Sequence, residues 1–173
     1  MKVLLMGHPN VGKSVVFNRL TGARVIESNY PGTTVDFTKG WMRLKAKNVE
    51  VVDVPGTFSL DPKDKAEEVA VKMLEEVKES MVICVIDASK IERGLYLALE
   101  IIEKGYRVVV ALNMWDVAED KNIEIDVKQL EEILGVPVVP TIAISGEGIR
   151  ELVSRIKEAS PVKIEKIIGR VGG

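Results

Sequence analysis

The stretch Gly7-His8-Pro9-Asn10-Val11-Gly12-Lys13-Ser14 decides the fold of this 173-residue chain, because an apolar run (3–6) precedes it and a segment with helical spacing (15–20) follows. It matches the pattern G-x-x-x-x-G-K-[ST], whose glycines let the backbone bend so that successive N–H groups point at phosphate oxygens. The N-terminus of the helix adds free N–H groups and a partial positive charge. The pattern predicts a strand, a phosphate-binding loop (the P-loop, residues 7–14) and a helix; the alternative is a glycine turn without a ligand.

Residues 8–15 form the first group that we expect to bind a nucleotide. Lys13 is expected to reach the outer phosphates as a point charge, and the Ser14 hydroxyl to take one position on a magnesium ion. The other expected contacts in this stretch are His8, Pro9, Asn10, Val11, Gly12 and Val15. His8 is the only histidine, and we expect it to be structural because a neutral imidazole in this place has no evident proton to take.

Composition predicts one soluble domain with a substantial core. The formal net charge is −2, so nothing indicates nucleic acid or an acidic membrane as the main partner. The single cysteine, Cys84, lies in an apolar run and offers neither a disulfide nor a metal site, which fits a cytoplasmic protein. No run is long enough for a signal peptide or a membrane span. We assign residues 1–159 to the domain and residues 160–173 to a C-terminal linker or truncation tail.

Short apolar runs alternate with helical periodicity, which predicts an α/β fold with helices on both faces of a mostly parallel six-stranded sheet. A hairpin of strands 37–45 and 49–54 is expected to add one antiparallel edge strand. Residues 23–36 and 55–62 are predicted loops. The other predicted strands are 81–87, 106–112 and 136–142, and helices are predicted from Lys65, over 91–103, from Asp126 to Gly135 and around 149–156.

The helix that begins at Lys65 is predicted to be amphipathic. Apolar residues recur along it at helical spacing and form one side. We expect the other side to be a solvated charged surface, formed by Glu67, Glu68, Lys72, Glu75, Glu76, Lys78 and Glu79.

A second candidate segment, Asp53-Val54-Pro55-Gly56, ends a predicted buried strand. The Asp53 carboxylate there suits a magnesium ion held through water, and the N–H of Gly56 is placed to meet a terminal phosphate. Taken alone, the pattern D-x-x-G is weak. About 40 residues after a P-loop, it is typical of proteins whose loops close on the terminal phosphate of a nucleotide.

A third segment, Asn113-Met114-Trp115-Asp116, directly follows a predicted strand and is similar to the guanine-recognition pattern N-K-x-D, with Met114 in place of lysine. The Asp116 carboxylate can accept from both N1–H and the exocyclic amine of guanine. Adenine has no donors there and would leave a charged acceptor unpaired, at a cost of about 1–3 kcal/mol. The alternative is that Asp116 caps a turn that Asn113 stabilises.

Two further segments are candidates by position. In Thr141-Ile142-Ala143, which follows the last predicted strand, the backbone N–H of Ala143 is expected to contact the guanine carbonyl oxygen. In the loop 23–36, Thr33 or Thr34 is expected to complete magnesium coordination when a terminal phosphate is present, and to release it after hydrolysis. The alternative is that both threonines are ordinary loop residues.

The four stretches G-H-P-N-V-G-K-S, N-Y-P-G-T-T-V, D-V-P-G-T-F-S-L and N-M-W-D together resemble the cytoplasmic G domain of the FeoB ferrous iron transporter family. The P-loop and D-x-x-G are common to Ras-like GTPases. The resemblance to this family depends on the second stretch, on the extension after Gly56, and on the methionine after Asn113. It covers residues 1–159.

The resemblance implies a Ras-like P-loop GTPase fold, binding of GTP and GDP with Mg²⁺, and slow hydrolysis. Thr34 matches the family's magnesium ligand, beside Ser14 and Asp53, and Asn10 matches an asparagine that helps to hold K⁺ in potassium-stimulated relatives. The residues expected to carry catalysis are Asn10, Lys13, Thr34 and Gly56. The family also implies a helical domain and a membrane channel domain as partners, at the cytoplasmic face of the membrane, and this chain carries neither.

Three other functions stay open at this point. Thr57 stands where Ras-type enzymes have the glutamine that orients the attacking water, so a non-catalytic, nucleotide-gated interaction module is one alternative. A GTPase of ribosome assembly or tRNA modification is another, although the chain shows no basic RNA-binding region. An adenine-nucleotide enzyme would have to explain Asn113 and Asp116. Self-association through the loops 23–36 and 55–64 is also open.

Overall fold

A computed structural model of the chain describes residues 1–162 and 164–171. Within these residues, seven strands form one sheet in the order β2-β3-β4-β1-β5-β6-β7. The strands are β1 (Lys2–Gly7), β2 (Val25–Asn29), β3 (Asp36–Leu44), β4 (Lys47–Asp53), β5 (Met81–Asp87), β6 (Arg107–Asn113) and β7 (Val138–Pro140). β1 lies between β4 and β5 and pairs in parallel with both, and β6 and β7 continue the parallel sheet.

The α/β class and the mostly parallel sheet are confirmed, but the predicted strand count and edge are wrong. β2 lies within 23–36, which was predicted to be a loop, and it pairs antiparallel with β3 from Val25↔Gly40 to Asn29↔Asp36. β3 is therefore antiparallel to both of its neighbours and does not form the edge. Four of the five β2 residues are exposed, so the strand lacks the alternation of apolar and polar residues that predicts strands.

Helices cover both faces of the sheet. They are α1 (Lys13–Thr21), α2 (Lys65–Glu75), α3 (Ile91–Glu103), α4 (Trp115–Asp120), α5 (Val127–Leu134), α6 (Ile149–Arg155) and α7 (Ile164–Val171). Alternate β1 residues supply the two cores: Leu4 and Met6 pack with α2 and α3, whereas Val3 and Leu5 pack with α1 and α6. This period of two follows from the pleat of a strand that is buried on both sides.

The C-terminal stretch differs from the linker that we expected after residue 159. Residues 164–171 form α7, and Ile167 is buried in the core that includes Leu97 and Leu134. Elsewhere the helix signals are confirmed: the Asp126 side chain accepts from the N–H of Gln129 at 3.0 Å, and α5 ends at Gly135. Among the described residues, no helix is both long and apolar enough to cross a bilayer.

The parallel strands place the predicted motifs at one edge of the sheet. The P-loop follows β1, Asp53 ends β4 and Asn113 ends β6. Ligands of open α/β sheets bind at the carboxyl ends of the strands. The fold thus joins segments that lie about 40 and 100 residues apart in the chain.

Candidate nucleotide-binding site

The P-loop backbone bends at residues with positive φ. Asn10 has φ 67° and Gly12 has φ 83°, in the left-handed region that glycine and asparagine tolerate best. Gly12 also lies against Asn113, because a Cβ at Gly12 would be 2.3 Å from the Asn113 Nδ2 atom. Both the backbone conformation and the lack of space therefore exclude a side chain at position 12.

The Asp53 carboxylate contacts both of the P-loop residues that the motif assigns to phosphate and metal. One oxygen accepts from the Lys13 ammonium, and the other accepts from the Ser14 hydroxyl at 3.2 Å. Lys13 also donates to the carbonyl of Val54. The side chains of Lys13 and Asp53 are 10% and 13% exposed, so this cluster of charged and hard oxygen groups is mostly shielded from water. The hydroxyl and carboxylate oxygens fit the preference of Mg²⁺ for oxygen ligands.

A cavity of about 390 Å³ opens beside this cluster. P-loop residues form most of its wall, where backbone N–H groups can meet phosphate oxygens. Most residues that the sequence analysis expects to contact the nucleotide there line the cavity: His8, Pro9, Asn10, Gly12, Lys13, Ser14, Val15 and Gly56.

The 56–64 loop is attached to the P-loop by two hydrogen bonds. The N–H of Thr57 donates to the carbonyl of Gly7 at 3.0 Å, and His8 Nε2–H donates to the carbonyl of Phe58 at 3.1 Å. The His8 and Phe58 rings also lie 5.0 Å apart. Partial burial lowers the pKa of His8, partly offset by its bond to Phe58, so the ring is neutral at neutral pH.

Thr57 is fully buried and is not one of the residues that line the cavity. Its hydroxyl donates to the carbonyl of Ser59 at 2.7 Å, which closes a turn after Gly56. Its side chain is therefore committed to the turn rather than available to orient a water molecule.

Glu67 corrects the expectation that the charged side of α2 is a solvated surface. Its side chain is buried, and its two oxygens accept from the N–H groups of Phe58, at 2.9 Å, and Lys63, at 2.7 Å. The N–H of Glu67 in turn donates to the Asp64 side chain, which caps α2. One carboxylate at the start of α2 thus holds both ends of the 58–63 segment.

Asn113 connects the P-loop with the 141–146 loop. Its Nδ2 donates to the carbonyl of Val11 at 3.0 Å, and its Oδ1 accepts from the Thr141 hydroxyl at 3.1 Å and from the N–H of Ala143 at 3.0 Å. Asn113 is only 3% exposed, so these bonds satisfy a buried amide. The N–H of Ala143, which we expect to contact the guanine carbonyl oxygen, is thus bonded to the Asn113 side chain in this structure.

Met114 and Asp116 lie at the start of α4, and Met114 is next to the P-loop. Met114 has φ 57°, and its Cε atom would be 3.7 Å from a Cβ at Gly12, so the methionine side chain covers the P-loop. Asp116 is exposed in the first turn of α4. Its carboxylate is thus available to a ligand at the surface.

The 30–35 loop lies against α2 and β4 and does not line the cavity. The Tyr30 hydroxyl bonds the Glu76 carboxylate at the end of α2. The Thr33 hydroxyl donates to the carbonyl of Tyr30 at 2.8 Å and accepts from the N–H of Val35, so Thr33 is part of the turn. Thr34 is exposed beside it.

Arg19 is a site residue that sequence reasoning missed. Located on α1, it bonds the carbonyls of Ala143 and Ile144 in the 141–146 loop, more than 120 residues further along the chain. A basic residue on an exposed helix face gives no signal of such a contact.

Two features define the class of this protein. A P-loop lysine bonds the carboxylate that ends β4, and a buried asparagine connects the P-loop with the loop after β7. The protein is a Ras-like P-loop GTPase domain. Residues 1–156 match the FeoB_N family, described as ferrous iron transport protein B, and the chain belongs to that family.

Relatives of known sequence cover most of this chain. A fusion of Fe(2+) transport protein A and Fe(2+) transporter FeoB from Porphyromonas gingivalis is 41% identical over 154 residues, 88% of this chain and 18% of that protein. The Fe(2+) transporter FeoB of Escherichia coli K12 is 40% identical over 152 residues, 86% of this chain and 20% of that protein. The chain thus spans about a fifth of the length of these relatives.

Solved structures agree with the fold. The cytosolic domain of the Thermotoga maritima FeoB iron transporter in GMPPNP form superposes with a TM-score of 0.86 at 39% identity, over 91% of this chain and 63% of that one. The cytosolic domain of Legionella pneumophila FeoB gives a TM-score of 0.87 at 37% identity, over 94% of this chain and 70% of that one. A mutant of S. thermophilus NFeoB bound to GDP gives a TM-score of 0.85 at 35% identity, over 93% of this chain and 63% of that one.

Proposed function

We propose that this chain binds GTP and GDP with Mg²⁺ and hydrolyses GTP slowly, as the nucleotide-switched domain of a ferrous iron transporter. The observation that carries the proposal is Asn113, buried between the P-loop and the 141–146 loop, with the exposed carboxylate of Asp116 in the next turn. This arrangement supports recognition of guanine at the same edge of the sheet as the phosphate cavity.

In this proposal Lys13 binds the β- and γ-phosphate oxygens, and the N–H of Gly56 donates to the terminal phosphate. Ser14, Asp53 and Thr34 would hold Mg²⁺, which supplies charge neutralisation between the phosphates when bound. The contact of Asp53 with both Lys13 and Ser14 supports this assignment. Thr34 is favoured over Thr33 because the Thr33 hydroxyl is committed within its own turn.

For the base, the Asp116 carboxylate would accept from the N1–H and the amine of guanine, and Met114 would make an apolar contact beside the P-loop. The N–H of Ala143 would contact the guanine carbonyl oxygen, in exchange for its bond to Asn113. An unpaired carboxylate facing adenine would cost about 1–3 kcal/mol, or about 5- to 150-fold in affinity.

Base recognition is tested with Asp116→Asn, using binding of GDP, XDP and ADP as the readout. Xanthine carries a carbonyl in place of the guanine amine, so the new amide can donate to it. We expect the wild type to prefer GDP and the variant to prefer XDP, a change of about 5- to 150-fold in the ratio of affinities. Asp120→Asn, at the other end of α4, is the matched control and should leave the ratio unchanged. Equal binding of ADP and GDP would refute the proposal.

Hydrolysis is proposed to be slow because Thr57 is buried and bonds Ser59. Asn10 is exposed on the cavity wall, and its amide oxygen suits a K⁺ ion that would neutralise charge between the β- and γ-phosphates. Because Asn10 has φ 67°, glycine removes its side chain without straining the backbone.

The test of hydrolysis is multiple-turnover phosphate release in potassium and in sodium buffers. We expect faster release in potassium by the wild type, and equal release in both buffers by Asn10→Gly, with GDP affinity retained. Turnover near zero in both buffers, with intact GTP binding, would instead support a non-catalytic nucleotide-gated module.

The partners in this proposal come from the family. Because the chain spans about a fifth of its curated relatives, iron movement and the helical and membrane parts are assigned to residues beyond it. The domain would act at the cytoplasmic face of the membrane, consistent with the relatives described as cytosolic domains. A role in ribosome assembly or tRNA modification is not supported, since residues 1–156 match the FeoB family.

A further inference from the structure

Arg19 joins the helix that follows the P-loop to the 141–146 loop. Its Nε donates to the carbonyl of Ala143 at 2.9 Å, and its Nη2 donates to the carbonyl of Ile144. The guanidinium also lies under Gly146, where a Cβ would be 3.5 Å from Nη1. The planar guanidinium thus holds two consecutive carbonyls of one loop.

The peptide groups around Ala143 are therefore fixed from two sides. The N–H of Ala143 donates to the Asn113 side chain, and its carbonyl accepts from Arg19. The loop also has internal bonds, from the N–H groups of Ser145 and Gly146 to the carbonyl of Ile142. Ile144, by contrast, is 79% exposed, so apolar packing contributes little to its position. Ala143 itself is only 2% exposed and lies in the core that includes Leu152. The loop is therefore held by this packing at Ala143 and by the hydrogen bonds to Asn113 and Arg19.

We propose that Arg19 is a positioning residue for the guanine base: by holding Ala143 and Ile144, it keeps the 141–146 loop in the base-binding geometry and slows release of GDP. The inference rests on the proposed function of this site. The same helix, α1, begins at Lys13 and Ser14, so one rigid element connects the phosphate side of the site with the base side. In this proposal Arg19 acts through the carbonyls of Ala143 and Ile144 rather than on the nucleotide itself.

A purely structural role is the competing explanation, because Arg19 lies in the last turn of α1, where a positive charge favours the helix dipole. Arg19→Lys separates the two explanations. Lysine keeps the charge at the helix end but cannot span two carbonyls with a planar fork. If only the charge matters, the lysine variant will behave as the wild type.

The experiment measures dissociation of N-methylanthraniloyl-GDP by stopped-flow fluorescence, with chase by unlabelled GDP. We expect at least about tenfold faster dissociation from Arg19→Ala, which removes both charge-assisted hydrogen bonds to the loop, and at least about threefold faster dissociation from Arg19→Lys, which keeps at most one of them. Arg24→Ala, an exposed arginine beyond the end of α1, is the control and should stay within about twofold of the wild type.

Two results would overturn the inference. Dissociation from Arg19→Ala within about twofold of the wild type, or wild-type dissociation from Arg19→Lys, removes the positioning role. In both cases the wild type still binds labelled GDP, so the proposed function stands. A wild type that does not bind labelled GDP at all refutes the proposed function and this inference together. Thermal unfolding without nucleotide verifies that each variant is folded.

Discussion

Replacing Glu67 with alanine should loosen the 58–63 segment and destabilise the domain. The buried carboxylate accepts from the N–H groups of Phe58, at 2.9 Å, and Lys63, at 2.7 Å. Alanine removes both acceptors at once. The cap of α2 survives, because the residue at position 67 keeps the N–H that donates to Asp64. The variant therefore isolates the contribution of the carboxylate.

The magnitude follows from the two bonds and what replaces them. A hydrogen bond to a charged group contributes about 1.5–3 kcal/mol, and two such bonds set an upper limit of about 3–6 kcal/mol. The buried carboxylate of Glu67 also carries a desolvation cost that the variant no longer has, and water can reach the freed N–H groups. We expect the free energy of unfolding to fall by about 2–3 kcal/mol, which lowers Tm by roughly 5–10 °C for a domain of this size.

Urea unfolding followed by circular dichroism measures the change, with Glu68→Ala as the matched control. Glu68 is the next residue and makes only exposed ion pairs with Lys65 and Lys72, at 3.6 and 3.4 Å. Such pairs contribute less than about 0.5 kcal/mol. Glu67→Gln keeps one acceptor and should fall between the alanine variant and the wild type. A stability for Glu67→Ala within about 0.5 kcal/mol of Glu68→Ala would refute the argument.

Two further predictions concern ionisable groups in the core and at its margin. Burial raises the pKa of Cys84 to about 12, so the native thiol should not react with Ellman's reagent at about pH 8, whereas the urea-unfolded chain should react with one equivalent; reaction of the native chain would contradict the burial. Burial also raises the pKa of Glu131, but hydrogen bonds from Arg155 and the N–H of Val138 outweigh it and lower the pKa overall. Because the pKa of Glu131 is lower in the folded than in the unfolded chain, its carboxylate stabilises the fold above the unfolded pKa, and this contribution is lost as the pH falls through the folded pKa. The wild type should therefore lose more stability than Glu131→Gln between about pH 5 and pH 3, by less than about 1 kcal/mol for this partly exposed pair. Urea unfolding at both pH values measures the difference, and equal losses would count against the ion pair.

The parts of the site that the sequence predicts are those fixed by backbone chemistry. The P-loop needs glycine at position 12, since the structure gives it φ 83° and places Asn113 where a Cβ would lie. The buried strands around it are continuous apolar runs, so their bounds are close to those predicted. The helix predicted over 91–103 has those bounds in the structure.

The missed features fall into two groups. β2 and the contacts of Arg19 have no local signal, because β2 depends on backbone pairing with β3 and Arg19 bonds carbonyls far away in sequence. Glu67 and α7 did have signals. Asp64 and Glu67 have the spacing of a capping box, and the apolar residues of α7 recur at helical spacing. The commonest interpretation of a charged helix side is a solvated surface, and that of a polar stretch after the last predicted helix is a linker. Here tertiary packing buries Glu67 and Ile167 instead.

The hydrogen bonds of the P-loop explain why distant segments meet at this site. A loop whose N–H groups point at phosphate must turn its carbonyls outward, and those carbonyls need donors. The structure supplies them from the neighbouring loops: Thr57 donates to the carbonyl of Gly7, and Asn113 donates to the carbonyl of Val11. The loop after β4 and the residue that ends β6 are thus attached to the same short backbone. We therefore expect a displacement of this backbone to reach both the 56–64 loop and the end of β6, through the bonded carbonyls of Gly7 and Val11.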